Sequence, residues 1–427
     1  ILIGQLGTIV VGFADTAMVG HHSTAELASA SFVNNLFNVA IFTLLGFSYG
    51  LTPIVGALFG AGKRSDIGAT MRNAIVANLG FGLLVGAIML AVYFNLGRLG
   101  QPVELLPLIR PYYLIYLSGI VPLALFNAFA QWAYAINRTR MPMWIILISN
   151  VVNIAGNYAF IYGRWGMPEM GLNGAGVSTL LARVFCAVAI IVIFCTRRDY
   201  GIYRAGLKSG KLTGRSLKEI TFTSVPVSLQ MGFESGSFTA AAVMAGWLGA
   251  LDLAAYQVTV ILGTLGFCIY YSMGAATSIM VANAAGVNDR KLMRRTAYAG
   301  YRIILTLATI SSLIFFFLAR PILTVFTSDP AVIALSLTLI FPLILYQLGD
   351  ATQITFANAL RGTSKVMPMM WISLISYVVI GMPATYILAF TCEMGLYGII
   401  LSFSVSLFIA GALFLYFFQR ATRKTQG

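Results

Sequence analysis

The sequence predicts an all-α polytopic membrane protein, with twelve transmembrane helices in two parallel six-helix repeats. Three observations predict it. Of 427 residues 59% are hydrophobic and 9% charged, against about 25% charged in an average soluble domain. Apolar runs long enough to cross the roughly 30 Å hydrocarbon core recur along the whole chain. Segments of the first half return in the second at a nearly constant offset.

Punctuation by Gly, Pro and charge sets the spans at 1–20, 26–59, 66–97, 104–136, 141–163 and 172–196, then 218–248, 252–285, 291–320, 331–361, 367–391 and 396–419. Those near 30 residues exceed a perpendicular crossing and imply tilt or projection into water. The chain opens in mid-helix at Ile1 with no basic segment ahead of the apolar run. The expectation is therefore no cleavable signal peptide, and a few native residues ahead of Ile1.

The net charge of +14 sorts by side of the membrane. With the first residue cytoplasmic, Lys63, Arg64, Arg72, Arg138 and Arg140 share a side with the basic linker, with the loops bearing Arg290, Lys291, Arg294, Arg295, Arg361 and Lys365, and with Arg420, Arg423 and Lys424 of the tail. The opposite side holds Arg98, Arg164 and Arg320, and Arg110, Arg183 and Arg302 lie within spans. Both termini are thus expected in the cytoplasm. The basic excess is a topology signal and needs no nucleic acid partner, because no soluble basic face carries it.

The stretch MPMWIILISNVVNI at 141–154 is echoed by MPMMWISLISYVVI at 367–380, MGLNGAG at 170–176 by MGLYGII at 394–400, and TPIVGALFGAG from Thr52 by TSIMVANAAGV from Thr277. Six spans per half keep both repeats in one orientation, so they are parallel repeats. The expected division is an N-lobe over 1–196, a basic linker over 197–217 and a C-lobe over 218–427, one chain supplying both lobes and acting as a monomer. The linker reads equally as an amphipathic helix on anionic lipid or as a solvated connection. Two bundles facing one another would place a substrate cavity at the membrane centre.

Cys186, Cys195, Cys268 and Cys392 lack metal or redox spacing and read as small hydrophobes. His21 and His22 read as a solvated turn after span 1. Without a nucleophile–base or metal cluster an enzyme is not expected, nor any cofactor.

The chemistry lies in three acids within spans: Asp15, Glu234 and Asp350. A carboxylate at the bilayer centre costs about 2.5–3.5 kcal/mol on the insertion scale, so such groups face a partner or a water-filled cavity and mark ion paths. Glu234 and Asp350 lie at similar depth. Facing one cavity, they form a site where a proton, Na⁺ or a cationic substrate competes for the same charge, which is the basis of antiport. Tyr346 precedes Asp350 by four residues and Phe238 follows Glu234 by four, so each shares a face with its acid and offers a ring to an organic cation.

In the first half Asp15 is joined by Asn153 and Asn157, at i and i+4 on span 5, and by Thr179 on span 6. Carboxylate, amide and hydroxyl oxygens suit Na⁺ or a hydrogen-bonded proton, although intramembrane Asn also serves simply to bind neighbouring helices. Arg183, one turn beyond Thr179, can pair with Asp15, snorkel or meet lipid head groups. Prolines 53, 122, 226, 342 and 383 lie inside spans, where kinks bend helices around a cavity.

DTAMVG at 15–20 with AELASASFVNNLF at 25–37, GLTPIVGALFGAGKRSDIG at 50–68, VPVSLQMGFES at 225–235 and DATQITFANALRGTSKVMP at 350–368 carry a resemblance. In order and spacing they resemble the multidrug and toxic compound extrusion (MATE) transporters, across nearly the whole chain. Acids in both span 7 and span 10 point to the NorM-type branch. The resemblance implies a V-shaped, two-lobed inner-membrane antiporter that exports cationic amphipathic compounds in exchange for Na⁺ or H⁺ by rocker-switch alternating access. It implies a C-lobe cation site of Glu234 and Asp350 lined by Tyr346, Phe238 and Gln257, and an N-lobe site of Asp15, Asn153, Asn157 and Thr179. Some relatives carry Asp at the position of Asn157, so this N-lobe site holds one charge fewer.

Two other readings compete. A lipid-linked saccharide flippase of the same broad superfamily would need a basic cavity for pyrophosphate, which three acids and few central arginines oppose. An ion channel would conduct without exchange.

Overall fold

The computed structural model describes residues 2–98, 103–327 and 329–423; Ile1 and Lys424 lie outside them. The described chain is helical. In order come α1 (Leu2–His22), α2 (Thr24–Tyr49), α3 (Leu51–Gly60), α4 (Arg64–Phe94), α5 (Leu106–Ser118), α6 (Ile120–Ala135), α7 (Arg140–Ile161), α8 (Leu172–Thr196) and α9 (Gly201–Ser209). They are followed by α10 (Gly214–Leu248), α11 (Ala250–Gly286), α12 (Arg290–Phe326), α13 (Pro330–Thr338) and α14 (Ile340–Gly362). The last helices are α15 (Met367–Ser373), α16 (Met382–Tyr386) and α17 (Gly395–Thr422), with π-helical stretches at Leu374–Gly381 and Ile387–Thr391.

Among the described residues, ten helical segments are long and apolar enough to cross a membrane, and the pair α13–α14, bent by 53°, makes an eleventh if it is one span. The absentee is α10. At 35 residues it is long enough, but Ser224, Ser228, Gln230, Glu234 and Ser235 dilute its apolar run. Those residues are what a helix facing a polar interior requires.

The chain forms two compact units, Ile1–Ser228 and Leu229–Gly427, so the division falls inside α10. The core of unit 1 is built around Trp132, Phe129 and Phe194 at one end, and around Phe37, Tyr113 and Leu44 at the other. Ser23 accepts the Glu26 amide to start α2; in unit 2, Asp289 accepts the Leu292 amide at 2.8 Å to start α12 and Asp329 that of Ala331 to start α13.

The repeat read in the sequence returns as paired backbone devices. Gly171 (φ 53°), just ahead of α8, and Gly395 (φ 56°), the first residue of α17, both have positive φ, a conformation without penalty for glycine. Gly174 then lies against the Phe160 carbonyl carbon and Gly398 against that of Leu388, where a Cβ would approach to 2.6 and 2.7 Å. The break between α5 and α6 precedes Ile-Val-Pro-Leu at 120–123, and the break between α13 and α14 precedes Ile-Phe-Pro-Leu at 340–343. The two copies are not identical, since α7 is regular whereas its counterpart carries the π-helical stretches around Pro383.

The linker is fastened to unit 1, not loosely solvated. Tyr200 and Tyr203 pack on Trp132 with ring centroids 5.1 and 5.5 Å away. Arg72 donates to the Gly210 carbonyl at 2.9 Å, and Asn73 both donates to the Lys211 carbonyl and accepts the Thr213 amide, each at 3.1 Å. Arg204 donates to the carbonyls of Phe194 and Arg197, which satisfies orphan acceptors at the end of α8 and places positive charge there. All four cysteines are free, Cys186 and Cys268 being buried.

Candidate functional site

In unit 1 the four residues expected to act together do meet. Asn157 of α7 donates from its amide to the Asp15 carboxylate of α1. The same amide reaches Asn153 Oδ1 at 3.4 Å, and Asn153 Nδ2 reaches Thr179 Oγ1 of α8 at 3.4 Å. Close helix packing makes this possible: a Cβ on Gly156 would come within 2.9 Å of Ser178 Oγ, so only glycine lets α7 and α8 approach so far. Asn153 and Asn157 are buried, and Asn157 Oδ1 has no hydrogen-bond partner. The cluster thus ends in an open acceptor beside a carboxylate.

Arg183 does not pair with Asp15. Its guanidinium lies 4.3 Å from the centroid of the Tyr116 ring and donates to the Tyr116 carbonyl at 3.4 Å. It occupies the space left by Gly119 at the break after α5. A cation there serves the C-terminal carbonyls of α5 and stacks on an aromatic face.

His22 also differs from expectation. In place of a solvated turn, Nδ1 lies 2.6 Å from Glu26 Oε2 and Nε2 lies 3.0 Å from Glu169 Oε1. A neutral imidazole has one N–H, so the doubly protonated ring satisfies both contacts. Tyr162 donates to the Met18 carbonyl at 2.9 Å beside it. These ties matter for α1, where only Gly4 and Val19 are buried.

Unit 2 holds the second constellation. Glu234 Oε2 accepts from Gln230 Nε2 at 2.7 Å, one helical turn earlier on α10. Asp350 of α14 is 1% exposed, and its Oδ2 has no hydrogen-bond partner. Glu234 lies within electrostatic range of Asp350, and Tyr346 and Tyr377 lie within range of both. The Phe238 ring meets Tyr346 edge-on at 6.3 Å, and Phe403 of α17 closes the group at 4.6 Å from Phe238 and 6.4 Å from Tyr346. Gln257 is exposed on α11; its neighbour Tyr256 turns inward and donates to the Phe238 carbonyl at 3.1 Å.

Unit 2 also contains polar residues that sequence reasoning missed. Gln347 is fully buried with both amide atoms unpartnered, as are the amide oxygens of Gln230, Gln353 and Asn358 and the Tyr377 hydroxyl. Gln347 and Asn358 press on glycines of α11, where a Cβ on Gly266 or Gly274 would come within 2.8 Å of the Gln347 or Asn358 amide nitrogen. The signal was present as a stripe Tyr346, Gln347, Asp350, Gln353, Asn358 along one side of α14. Buried unpartnered acceptors beside two carboxylates suit a cation or water donating into the site.

Residues 1–159 and 226–387 match the family model described as MatE, and residues 108–235 alone match that described as Lipid II flippase MurJ. The chain is 30% identical over 426 residues to "Probable multidrug resistance protein NorM" of Geobacillus kaustophilus, covering 99% of this chain and 92% of that protein. It is 28% identical to the protein of the same description from Bacillus subtilis, covering 98% and 92%. Among solved structures, the eukaryotic MATE transporter AtDTX14 superimposes with TM-score 0.88 at 18% identity, covering 99% of this chain and 95% of that one. A Pyrococcus furiosus MOP superfamily transporter gives TM-score 0.89 at 17% identity, covering 99% and 94%. The chain belongs to the MatE family, the multidrug and toxic compound extrusion transporters.

Proposed function

We propose that this protein is a multidrug efflux antiporter of the NorM type. It exports cationic amphipathic compounds in exchange for Na⁺ or H⁺ through a rocker-switch cycle of alternating access. The observation that carries this reading is the burial of Asp350 in unit 2, with the half-buried Glu234 within electrostatic range of it, beside the rings of Tyr346, Phe238 and Phe403. Two carboxylates within electrostatic range of each other are stable in an apolar interior only when a positive charge joins them. A coupling ion and an organic cation are alternative ways to supply it, and mutually exclusive occupancy couples their movements. The rings add cation–π attraction and an apolar wall for the lipophilic part of the substrate.

In unit 1, Asp15, Asn153, Asn157 and Thr179 form a second site for the coupling ion or a proton. The protein sits in a bacterial inner membrane with both termini in the cytoplasm, as the distribution of basic residues requires, and α10 supplies the remaining crossing. It works as a monomer, with lipid around it and no cofactor.

The relatives described as multidrug resistance proteins support export of drugs, and the acidic interior opposes the flippase reading, which needs basic groups for pyrophosphate. The test is ethidium efflux from cells expressing the wild type, Glu234→Gln or Asp350→Asn at equal membrane levels. Loss of efflux in both variants is expected. Full resistance in both would overturn the site.

A further inference from the structure

Among the described residues, the acidic and basic side chains buried below a tenth exposure are Asp350 at 1% and Arg361 at 4%. Both lie on α14. Eleven residues separate them, which on a helix is about 16 Å along the axis and only about 20° around it. They therefore share one face. Glu234 of α10 is within electrostatic range of both.

The face between the two charges is polar and acceptor-rich. Gln353 and Asn358 are buried there with their amide oxygens unpartnered. The Asn358 amide nitrogen is committed to the Ile354 carbonyl at 2.9 Å, so its free valence is an acceptor. Acceptors of this kind stabilise positive charge and do nothing for a further negative one.

The charge balance is then simple. With both carboxylates ionised, the interior holds two negative charges and one fixed positive charge. One monovalent cation brings the sum to zero. A divalent cation, or a second monovalent one, would leave a buried positive charge uncompensated, which a low-dielectric interior strongly disfavours. Arg361 cannot relieve this by losing its proton, because arginine stays charged in proteins.

We propose that Arg361 is a specificity-determining counter-charge, restricting the carboxylate site of unit 2 to one monovalent cation per cycle and excluding divalent cations. It acts through the field at the carboxylates and does not touch the bound ion. This rests on the reading that Glu234 and Asp350 bind the coupling ion.

The test uses full-length protein in proteoliposomes, with ethidium transport measured against the concentration of the driving cation (Na⁺ or H⁺) and against added Ca²⁺. The wild type is not blocked by millimolar Ca²⁺. In Arg361→Gln the Hill coefficient rises above the wild-type value by up to about 1, and Ca²⁺ slows transport roughly tenfold. Arg361→Lys keeps the wild-type pattern. Gln353→Glu adds one negative charge to the same face without touching Arg361 and produces the same change, so the test survives a misfolded Arg361→Gln. Ca²⁺ block of the wild type, or an unaltered coefficient and Ca²⁺ response in either charge variant, overturns the proposal. Full transport in Asp350→Asn would instead remove the site reading beneath it.

Discussion

Asn157 donates its side-chain amide to the Asp15 carboxylate and so ties α1 to α7. α1 has only two buried residues, so little apolar packing holds it and this charge-assisted bond contributes a large share. Such bonds are worth about 1.5–3 kcal/mol. Asn157→Leu keeps the volume and removes the donor. It should lower the thermal midpoint of detergent-solubilised protein and at the same time reduce efflux, whereas Asp15→Asn restores a neutral pair and should regain stability without regaining transport. Thermal unfolding and ethidium efflux, measured on the same preparations, separate the two effects.

Gly266 and Gly274 of α11 leave room for Gln347 and Asn358 of α14. Gly274→Ala would place a methyl group 2.8 Å from both the Asn358 amide nitrogen and Ile354 Cγ2. Overpacking of this kind costs about 1–3 kcal/mol. Gly80 meets nothing within 4 Å, and Gly80→Ala should be neutral or slightly stabilising. A thermal-shift comparison of the two alanine variants checks the pair.

Tyr377 offers a buried, unpartnered hydroxyl within range of both carboxylates of unit 2. It sits in a π-helical stretch, a geometry found often at functional sites. Tyr377→Phe removes the hydroxyl and preserves the ring. The expected outcome is an intact fold with the driving-cation concentration for half-maximal transport raised several-fold, about 1 kcal/mol in binding. Unchanged cation dependence would assign the residue to packing alone.

His22 joins Glu26 to Glu169, 147 residues away in sequence from the histidine. His22→Gln can reach one carboxylate but not both. Amide exchange between residues 163 and 171 should accelerate, with smaller change in the distant helix α4; hydrogen exchange read by mass spectrometry tests this directly. Equal protection in both proteins would show that Gly171 and the Tyr162–Met18 bond hold the segment unaided.

Span positions and the Asp15–Asn153–Asn157–Thr179 cluster were legible because they rest on short-range rules: apolar run length, and i, i+4 spacing on one helix. Glu234 and Asp350 stood out because an acid inside an apolar run is costly anywhere. Arg361 was hidden by its position. It lies near Lys365 at the end of a span and was counted with a basic loop, yet α14 continues to Gly362 and buries it. Gln347, Gln353 and Asn358 carry no charge, so they left no mark in a charge count, and their burial depends on glycines of another helix. The His22 contacts and the strapped linker arise from residues far apart in sequence, which periodicity cannot register. Nor could the repeat foretell asymmetry: where α14 has Asp350, the matching break-and-proline segment of unit 1 has Ala130, so equivalent backbones carry different chemistry.

The central claim is that charge at Glu234 and Asp350 couples an inward cation to an outward organic cation. Its most direct measurement is ethidium transport by purified protein in proteoliposomes, with Na⁺ and pH gradients imposed separately on the wild type and on Asp350→Asn. The account predicts that at least one gradient drives uphill transport in the wild type and that neither does so in Asp350→Asn. Transport indifferent to both gradients, or driven equally in the variant, would contradict it.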